Sequence, residues 1–171
     1  FTVAESKIHS IFDYLYKQYT EARMAYLAMR KRISEYDSEN LTYALIKDIL
    51  FSHAAMRHLD VVCHLPLRML IRDFSLLDES ERRYAGNGLT HVDFLIYNQV
   101  GKQPVLVIET DGRAYHRQGS RQEARDRMKD RILELYGIPC EHLSTAESNE
   151  QERIETKLKE ILHLNYILPE K

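Results

Sequence analysis

The sequence predicts a mixed α/β domain, in which helices flank a central mixed sheet, with a helical extension at the N-terminus. Two observations carry this prediction. Helix-like and strand-like hydrophobic spacings follow one another along the 171 residues in the order α, α, β, an irregular stretch, β, β, α, β, α. The two central strand-like runs are joined by a short polar loop around Gly101, which is typical of a hairpin.

The N-terminal part is predicted to be helical and separate from the rest. Apolar residues recur at helical spacing over residues 5–35, and the stretch ends in a basic patch that begins at Arg30. We therefore expect residues 1–36 to form a helical arm and residues 37–171 to form the main domain. The chain begins with Phe1 rather than Met, which favours a fragment of a longer protein.

The main domain is predicted to contain three helices and four strands, whose limits are set by hydrophobic spacing, caps and turn formers. In chain order they are helix 39–51 capped by Ser38, strand 60–67, strands at about 90–97 and 103–110, helix 120–136, strand 138–143, and a last helix after a capping box of Ser148 and Gln151. Asp78–Asn87 is predicted to be a polar loop, and Pro66 indicates a strand end or sheet edge. The buried stripe expected for helix 120–136 is Ala124, Met128, Ile132 and Leu135.

Composition limits the classes of protein that the chain can represent. Its 44% hydrophobic residues are ordinary for a folded domain, and its net charge of −2 gives no overall positive field for nucleic acid. No apolar run approaches the ~20 residues of a membrane span, and no signal peptide is visible, so we expect a cytoplasmic protein. Cys63 and Cys140 lie in apolar, strand-like surroundings, so they are expected to be buried free thiols in a reducing compartment. Neither has a CxxC partner, so no zinc site is expected at them.

Three carboxylates on the two central strands are the most informative residues. Strand alternation places Glu109 and Asp111 on one face. If the loop makes a hairpin, residues whose numbers sum to about 202 lie opposite one another, which sets Asp93 against Glu109 with Cβ atoms roughly 5 Å apart. Like charges so close repel, and a divalent cation such as Mg²⁺ or Mn²⁺ offsets the repulsion. Solvated strand-end acids are the alternative, which the buried character of Val105–Ile108 disfavours.

A basic helix is predicted beside these acids. Residues 113–131 contain seven basic and three acidic residues, and Arg121, Arg125 and Lys129 form one stripe at helical spacing. Positive charge next to a metal site suits phosphodiester chemistry. Such a stripe alone is more typical of a solvated helix face, and beside the carboxylates the two interpretations have equal weight. His116, in the preceding loop, would contact a phosphate, relay a proton or remain a plain surface histidine.

The remaining histidines divide into two groups. His91 shares the strand face of Asp93, so it is expected to orient a metal-bound water or to pack at the rim of the site. The others show no ligand spacing and are interpreted as structural; these are His9, His53, His58, His64, His142 and His163.

These residues together resemble the PD-(D/E)XK, or restriction-endonuclease-like, nuclease superfamily. The resemblance rests on Val92-Asp-Phe94, Val107-Ile-Glu-Thr-Asp-Gly112, His116, Gln122-x-x-Arg125-Asp126-x-x-Lys129 and Gly137-Ile-Pro139. It covers residues 60–145 and is greatest for the helicase-associated domains with an Ile-Glu-x-Asp-Gly strand. It implies a restriction-endonuclease-like core, an Mg²⁺-dependent catalytic site and a DNA substrate.

The resemblance also implies roles for individual residues. Asp93 and Glu109 would hold the metal, and Asp111 would complete its shell or position the attacking water. The family usually has a lysine two residues after the glutamate, where this chain has Asp111. Lys129 is the candidate replacement from the neighbouring helix, with Arg125 as the second choice.

Further expectations concern support and DNA contact. Glu39 stands in the place of the family's supporting acid, on its first core helix. His116, Arg121 and Arg125 would hold the DNA backbone. The expected function is a metal-dependent DNA nuclease within a larger, helicase-type DNA-processing protein. Two alternatives stay open: a catalytically inactive DNA-binding or docking module of the same fold, and an interaction domain whose first helix docks a partner or another domain of the same polypeptide.

Overall fold

The computed structural model of this chain describes residues 32–111, 121–144 and 149–163, together with individual residues near the N-terminus. Contacts divide the chain into two compact units, residues 1–41 and 42–171. The N-terminal residues described are all helical, as the predicted helical extension requires; they are Lys7, Ile11, Tyr14, Leu15, Lys17, Gln18, Glu21, Ala22 and Ala25. The division into domains of residues 1–36 and 37–171 stays a prediction.

The predicted mixed α/β class is confirmed. The elements are α1 (Asp37–Ser52), a 3-10 turn (Ala54–Met56), β1 (Leu59–Pro66), α2 (Leu67–Leu70), α3 (Glu79–Gly86), β2 (His91–Asn98), β3 (Pro104–Asp111), α4 (Arg121–Leu135), β4 (Cys140–Ser144) and α5 (Glu150–Ile161). Among the helices of the described part, none is long and apolar enough to cross a membrane.

One four-stranded mixed sheet forms the centre of the unit of residues 42–171. The strand order is β1-β2-β3-β4, in which the first two pairings are antiparallel and the β3–β4 pairing is parallel. β1 is thus an edge strand that ends at Pro66, as the proline indicates. A parallel neighbour requires a crossover connection, and α4 lies within the chain between β3 and β4.

The predicted hairpin register is confirmed in the centre of the sheet. Phe94 pairs with Ile108, and Leu95 pairs with Val107, so the paired residue numbers sum to the expected value. The register shifts after Ile96, and Tyr97 pairs with Pro104. The shift lies on the turn side of the hairpin, so it leaves the register towards Asp93 unchanged.

The predicted loop at Asp78–Asn87 is wrong, because most of it is α3. Asp78 Oδ1 accepts a hydrogen bond from the Glu81 amide at 2.9 Å, and Glu81 Oε2 accepts one from the Asp78 amide at 2.9 Å. This reciprocal capping box starts the helix. Glu81 is only 3% exposed, and its Oε1 is 2.8 Å from Arg131 Nε of α4. Charges that suggested a loop therefore form a cap and an ion pair between helices.

Two of the predicted helix starts are also wrong. Ser38 lies inside α1, which already begins at Asp37. The turn before α1 is held by the Asn40 side chain, whose Oδ1 accepts from the Ile33 amide at 2.9 Å. The N-cap of α5 is Asn149, one residue after the predicted Ser148, and its side chain makes no capping hydrogen bond. Acidic residues in the first turn of α5 favour this helix end instead.

The core of this unit lies on both faces of the sheet. One cluster joins α2, α3, α4 and the sheet; its buried members are Leu67, Ile71, Leu77, Ala85, Val92, Leu95, Val107, Ile132, Leu133 and Ile138. Phe94, Ile96, Leu106 and Ile108 flank Leu95 and Val107 along β2 and β3, so strand alternation turns them to the other face, where they are also fully buried. Fully buried side chains of α1 and α5 complete the core; these are Ile46, Ile154 and Leu158.

The buried stripe of α4 differs from the prediction. Ile132 is buried as expected, but Ala124 is exposed and Leu135 is 42% exposed. Leu133 is fully buried instead, and Lys129 lies one turn before it on the inner side of the helix. The helix is thus rotated relative to the expected stripe, which brings a lysine against the sheet.

Candidate active site

A carboxylate and a lysine meet where β3 faces α4. Glu109 is the sixth residue of β3, and it is 6% exposed. Its parallel neighbour on β4 is His142. Its Oε2 atom lies 2.7 Å from Lys129 Nζ, and the exposed fractions of the two side chains are only 8% and 13%. Both charges are therefore largely withdrawn from water, and each is the principal compensation for the other.

Asp93 on β2 is held beside this pair. Its Oδ2 atom accepts hydrogen bonds from the amide and the hydroxyl of Thr110, at 2.8 and 2.9 Å. The register of Phe94 with Ile108, extended by one residue, sets Asp93 opposite Glu109, so its carboxylate reaches the next amide along β3. Two donors from one residue orient the Asp93 carboxylate and limit its rotation.

Each carboxylate keeps one oxygen that the described residues leave without a donor. Glu109 Oε1 is buried, and no described residue donates a hydrogen bond to it. The hydrogen bonds that the described part makes to Asp93 all reach Oδ2, which leaves Oδ1 without a donor there. For the buried Glu109 Oε1 this lack of a donor is unfavourable unless a ligand satisfies the atom. Carboxylate oxygens are the protein ligands that Mg²⁺ and Mn²⁺ prefer, so these two residues fit such an ion.

The pKa values of Glu109 and Lys129 are both shifted from their ordinary values. Burial raises the pKa of Glu109 to about 7, against the lowering effect of the Lys129 ammonium, and the negative charge of Asp93 adds to the rise. Burial by itself would lower the pKa of Lys129, but the adjacent Glu109 carboxylate raises it above its ordinary value. Lys129 is thus a cation at neutral pH, while Glu109 titrates close to neutrality.

In metal-free buffer, the wild-type protein is expected to lose stability relative to a Glu109→Gln variant as the pH rises from about 5 to about 8. The ordinary pKa of this carboxyl is 4.5, whereas the folded protein raises it to about 7. Between these values the folded state binds more protons than the unfolded state. The stability present at low pH is therefore lost as the pH rises through 7, by up to about 3 kcal/mol.

Denaturant unfolding of both proteins in EDTA, over that pH range, measures the difference. The glutamine variant has the same shape and lacks the titrating group. Both proteins contain the same histidines, so the contribution of the histidines cancels in the difference between the two unfolding free energies. A difference that does not change with pH would contradict a buried Glu109 that titrates near neutrality.

The other predicted site residues are placed less completely. The backbone of Asp111 ends β3 opposite Ser144 of β4, and its side chain lies outside the described residues. His116 belongs to residues 112–120, which also lie outside them. Arg121 begins α4, but its side chain is not among those described, and Arg125 is exposed on the same helix. The predicted basic stripe is therefore divided, since Lys129 faces the sheet and Arg125 faces solvent.

The remaining predicted site residues, Glu39 and His91, lie on α1 and β2. Glu39 lies in the first turn of α1, within the unit of residues 1–41, and its predicted supporting role stays a prediction. His91 Nδ1 donates to the Leu89 carbonyl at 3.1 Å, and its ring packs edge-on against His64 with centroids 5.3 Å apart. His64 has a left-handed φ of 51°, in the register position opposite Asp93.

Two residues near the site were missed by the sequence interpretation. His142 was assigned a structural role, yet its Nε2 atom is 2.8 Å from Asp130 Oδ1 and 3.8 Å from Cys140 Sγ. The signal was the spacing of Cys140 and His142, which strand alternation places on one face. Thr110 was not singled out either, because its contact with Asp93 depends on the register between two strands.

The fold and these contacts define a class: a mixed α/β domain with a buried carboxylate–lysine pair and an adjacent aspartate on neighbouring strands. A protein-family model described as "Protein of unknown function (DUF2726)" matches residues 34–161, which is most of the chain. The chain therefore belongs to that family. No curated protein and no solved structure matches it significantly. The matched segment contains every described residue of the carboxylate–lysine site.

Proposed function

We propose that this protein is a metal-dependent DNA nuclease of the PD-(D/E)XK type that hydrolyses phosphodiester bonds. One observation carries the proposal: buried Glu109 contacts Lys129 through one oxygen at 2.7 Å, while its other oxygen has no donor among the described residues. A buried acid with a raised pKa, beside a second acid and a lysine, is typical of a functional site rather than of a solvated surface.

The metal would be held by Asp93 and Glu109, with Asp111 as a further candidate ligand. When bound, Mg²⁺ or Mn²⁺ polarises the phosphate and lowers the pKa of the attacking water. Thr110 keeps the Asp93 carboxylate oriented for this role through its two hydrogen bonds. The ammonium of Lys129 keeps Glu109 in place and offers positive charge to the phosphate oxygens as negative charge develops on them.

Lys129 bears directly on whether such a site is active. The residue two positions after the glutamate is Asp111, where the PD-(D/E)XK pattern has lysine. Lys129 instead comes from α4, and its Nζ atom already contacts the glutamate. This contact favours an active nuclease over a catalytically inactive DNA-binding or docking module of the same fold. Arg125 is exposed on the same helix and would contact the DNA backbone, together with His116 and Arg121.

The test is cleavage of supercoiled plasmid and of single-stranded DNA, each with Mg²⁺, with Mn²⁺ and with EDTA. We expect cleavage with either metal and none with EDTA. DNA binding that weakens with salt, without cleavage under any of these conditions, would instead support the inactive binding module. Absence of both cleavage and DNA binding would exclude the nuclease and the inactive binding module.

We further propose that the protein acts in the cytoplasm as part of a larger, helicase-type DNA-processing protein.

A further inference from the structure

A second group of side chains with ligand atoms lies next to the carboxylate–lysine site. Asp130 Oδ1 is 2.8 Å from His142 Nε2, and Cys140 Sγ is 3.8 Å from the same nitrogen. One ligand atom from each residue lies within 4.8 Å of the other two. An oxygen, a nitrogen and a sulfur atom thus converge on one point.

The fold brings these residues together through the same two elements that form the first site. Cys140 and His142 are two positions apart on β4, so their side chains share the face that is turned to α4. His142 is paired in register with Glu109, and Asp130 directly follows Lys129 on α4. Successive residues of α4 therefore contact side chains of two neighbouring strands, the first at Glu109 and the second at His142.

The chemistry of this group differs from that of the first site. Carboxylate oxygens alone suit hard cations, whereas thiolate and imidazole ligands select zinc and similar softer metals. Bonds of about 2.0–2.3 Å in a tetrahedral site separate the ligand atoms by roughly 3.3–3.6 Å. The observed separations of 2.8 and 3.8 Å require only small side-chain movements to reach this range.

The group also has access to solvent. An open groove is lined by the three side chains and by Glu134, Gly137 and Pro139. The exposed fractions of the His142 and Asp130 side chains are 22% and 40%. Three protein ligands at an open groove leave a fourth position for water, so an ion would enter without disruption of the core.

We propose that Asp130, Cys140 and His142 form a binding site for a zinc-class divalent cation, distinct from the hard-cation site at Asp93 and Glu109. The bound cation joins β4 to α4, so it stabilises the β3–α4–β4 segment that carries both Glu109 and Lys129. Binding releases the thiol proton of Cys140 and requires the proton that His142 Nε2 donates to Asp130 to move to Nδ1 or to leave as well, so affinity increases with pH.

The test is titration of the metal-free protein with Co²⁺, which reports its ligands through absorption. We expect the near-ultraviolet charge-transfer band of a thiolate–cobalt bond to appear and to reach its full intensity when one ion per chain is bound at this site. Cys140→Ser should remove the band, and Asp130→Asn or His142→Ala should weaken binding by at least about 10-fold. Zn²⁺ should displace Co²⁺ and raise the unfolding midpoint of the wild type but not of Cys140→Ser.

The matched control is Cys63→Ser, because Cys63, on β1, is the other cysteine that forms no disulfide and has the same intermediate exposure. It should keep the charge-transfer band, and Glu109→Gln should keep it as well because that residue belongs to the other site. Circular dichroism establishes that each variant is folded. A band that persists in Cys140→Ser, a band lost in Cys63→Ser, or no band at all in the folded wild type would overturn the proposal.

Discussion

A Glu109→Gln variant is expected to lose metal-dependent DNA cleavage by at least about 100-fold while it remains folded. Glutamine has the shape of the glutamate and still accepts a hydrogen bond from Lys129. It has no negative charge, however, and its second terminal atom is an amide nitrogen that cannot bind a cation. Asp93→Asn is expected to act in the same direction, since asparagine satisfies Thr110 with its oxygen and turns its amide towards the metal.

The measurement is the initial rate of plasmid cleavage with Mn²⁺. The matched controls are two exposed acids, Glu79→Gln on α3 and Asp48→Asn on α1, which should cleave at the wild-type rate. Binding of DNA in EDTA should be unchanged or stronger in both site variants, because a negative charge near the phosphates is removed. Wild-type cleavage by folded Glu109→Gln would contradict the proposed metal role of this residue.

A Lys129→Met variant is expected to lose both cleavage and stability. Methionine fills a similar volume but leaves the Glu109 carboxylate without the ammonium that is 2.7 Å away in the wild type. Breaking a buried pair in this way costs about 3 kcal/mol at about pH 8. This loss of stability should be smaller near pH 6. Even beside Lys129, Glu109 has a pKa of about 7, so at about pH 6 it is mostly protonated and a buried, unpaired negative charge is avoided. Cleavage should fall by about 100-fold, the scale expected for loss of one electrostatic stabiliser.

The ion pair of Lys47 with Asp60 supplies the control. Its nitrogen and oxygen are 2.9 Å apart, but its side chains are 42% and 34% exposed. Lys47→Met should therefore cost less than about 1 kcal/mol and leave cleavage unchanged. Lys129→Arg keeps the charge and should recover most of the stability, with less of the activity because of its different shape. Equal stability losses in Lys129→Met and Lys47→Met would contradict the burial of the site pair.

Much of the fold could be predicted because its signals are local. Alternation along β2 and β3, with the loop at Gly101, was sufficient to set Phe94 against Ile108 and hence Asp93 towards Glu109. Helix spacing located α1, α4 and α5 within a few residues. The prediction was wrong for α3, whose polar composition suggested a loop. Its stability comes from a capping box and from the contact of Glu81 with Arg131, which is fifty positions later in the sequence.

The candidate site was predicted in part. Asp93 and Glu109 were identified from the sequence, because acidic residues at the end of an apolar strand can be recognised without a structure. Lys129 was named as the first candidate for the missing lysine through the resemblance, but helical spacing places its side chain equally well in an exposed basic stripe with Arg125. Only the packing of Leu133 and Ile132 against the sheet rotates α4 so that Lys129 faces Glu109.

The sequence by itself determined the order of the helices and strands, the hairpin and the two acids that face each other across it, because each depends on periodicity over a few neighbouring residues. The tertiary structure alone decided which cation meets Glu109, which donors orient Asp93, and that Asp130, Cys140 and His142 converge beside them. These contacts depend on the parallel β3–β4 register and on the rotation of α4. Both are set by the packing of the whole core, which no single stretch of sequence specifies.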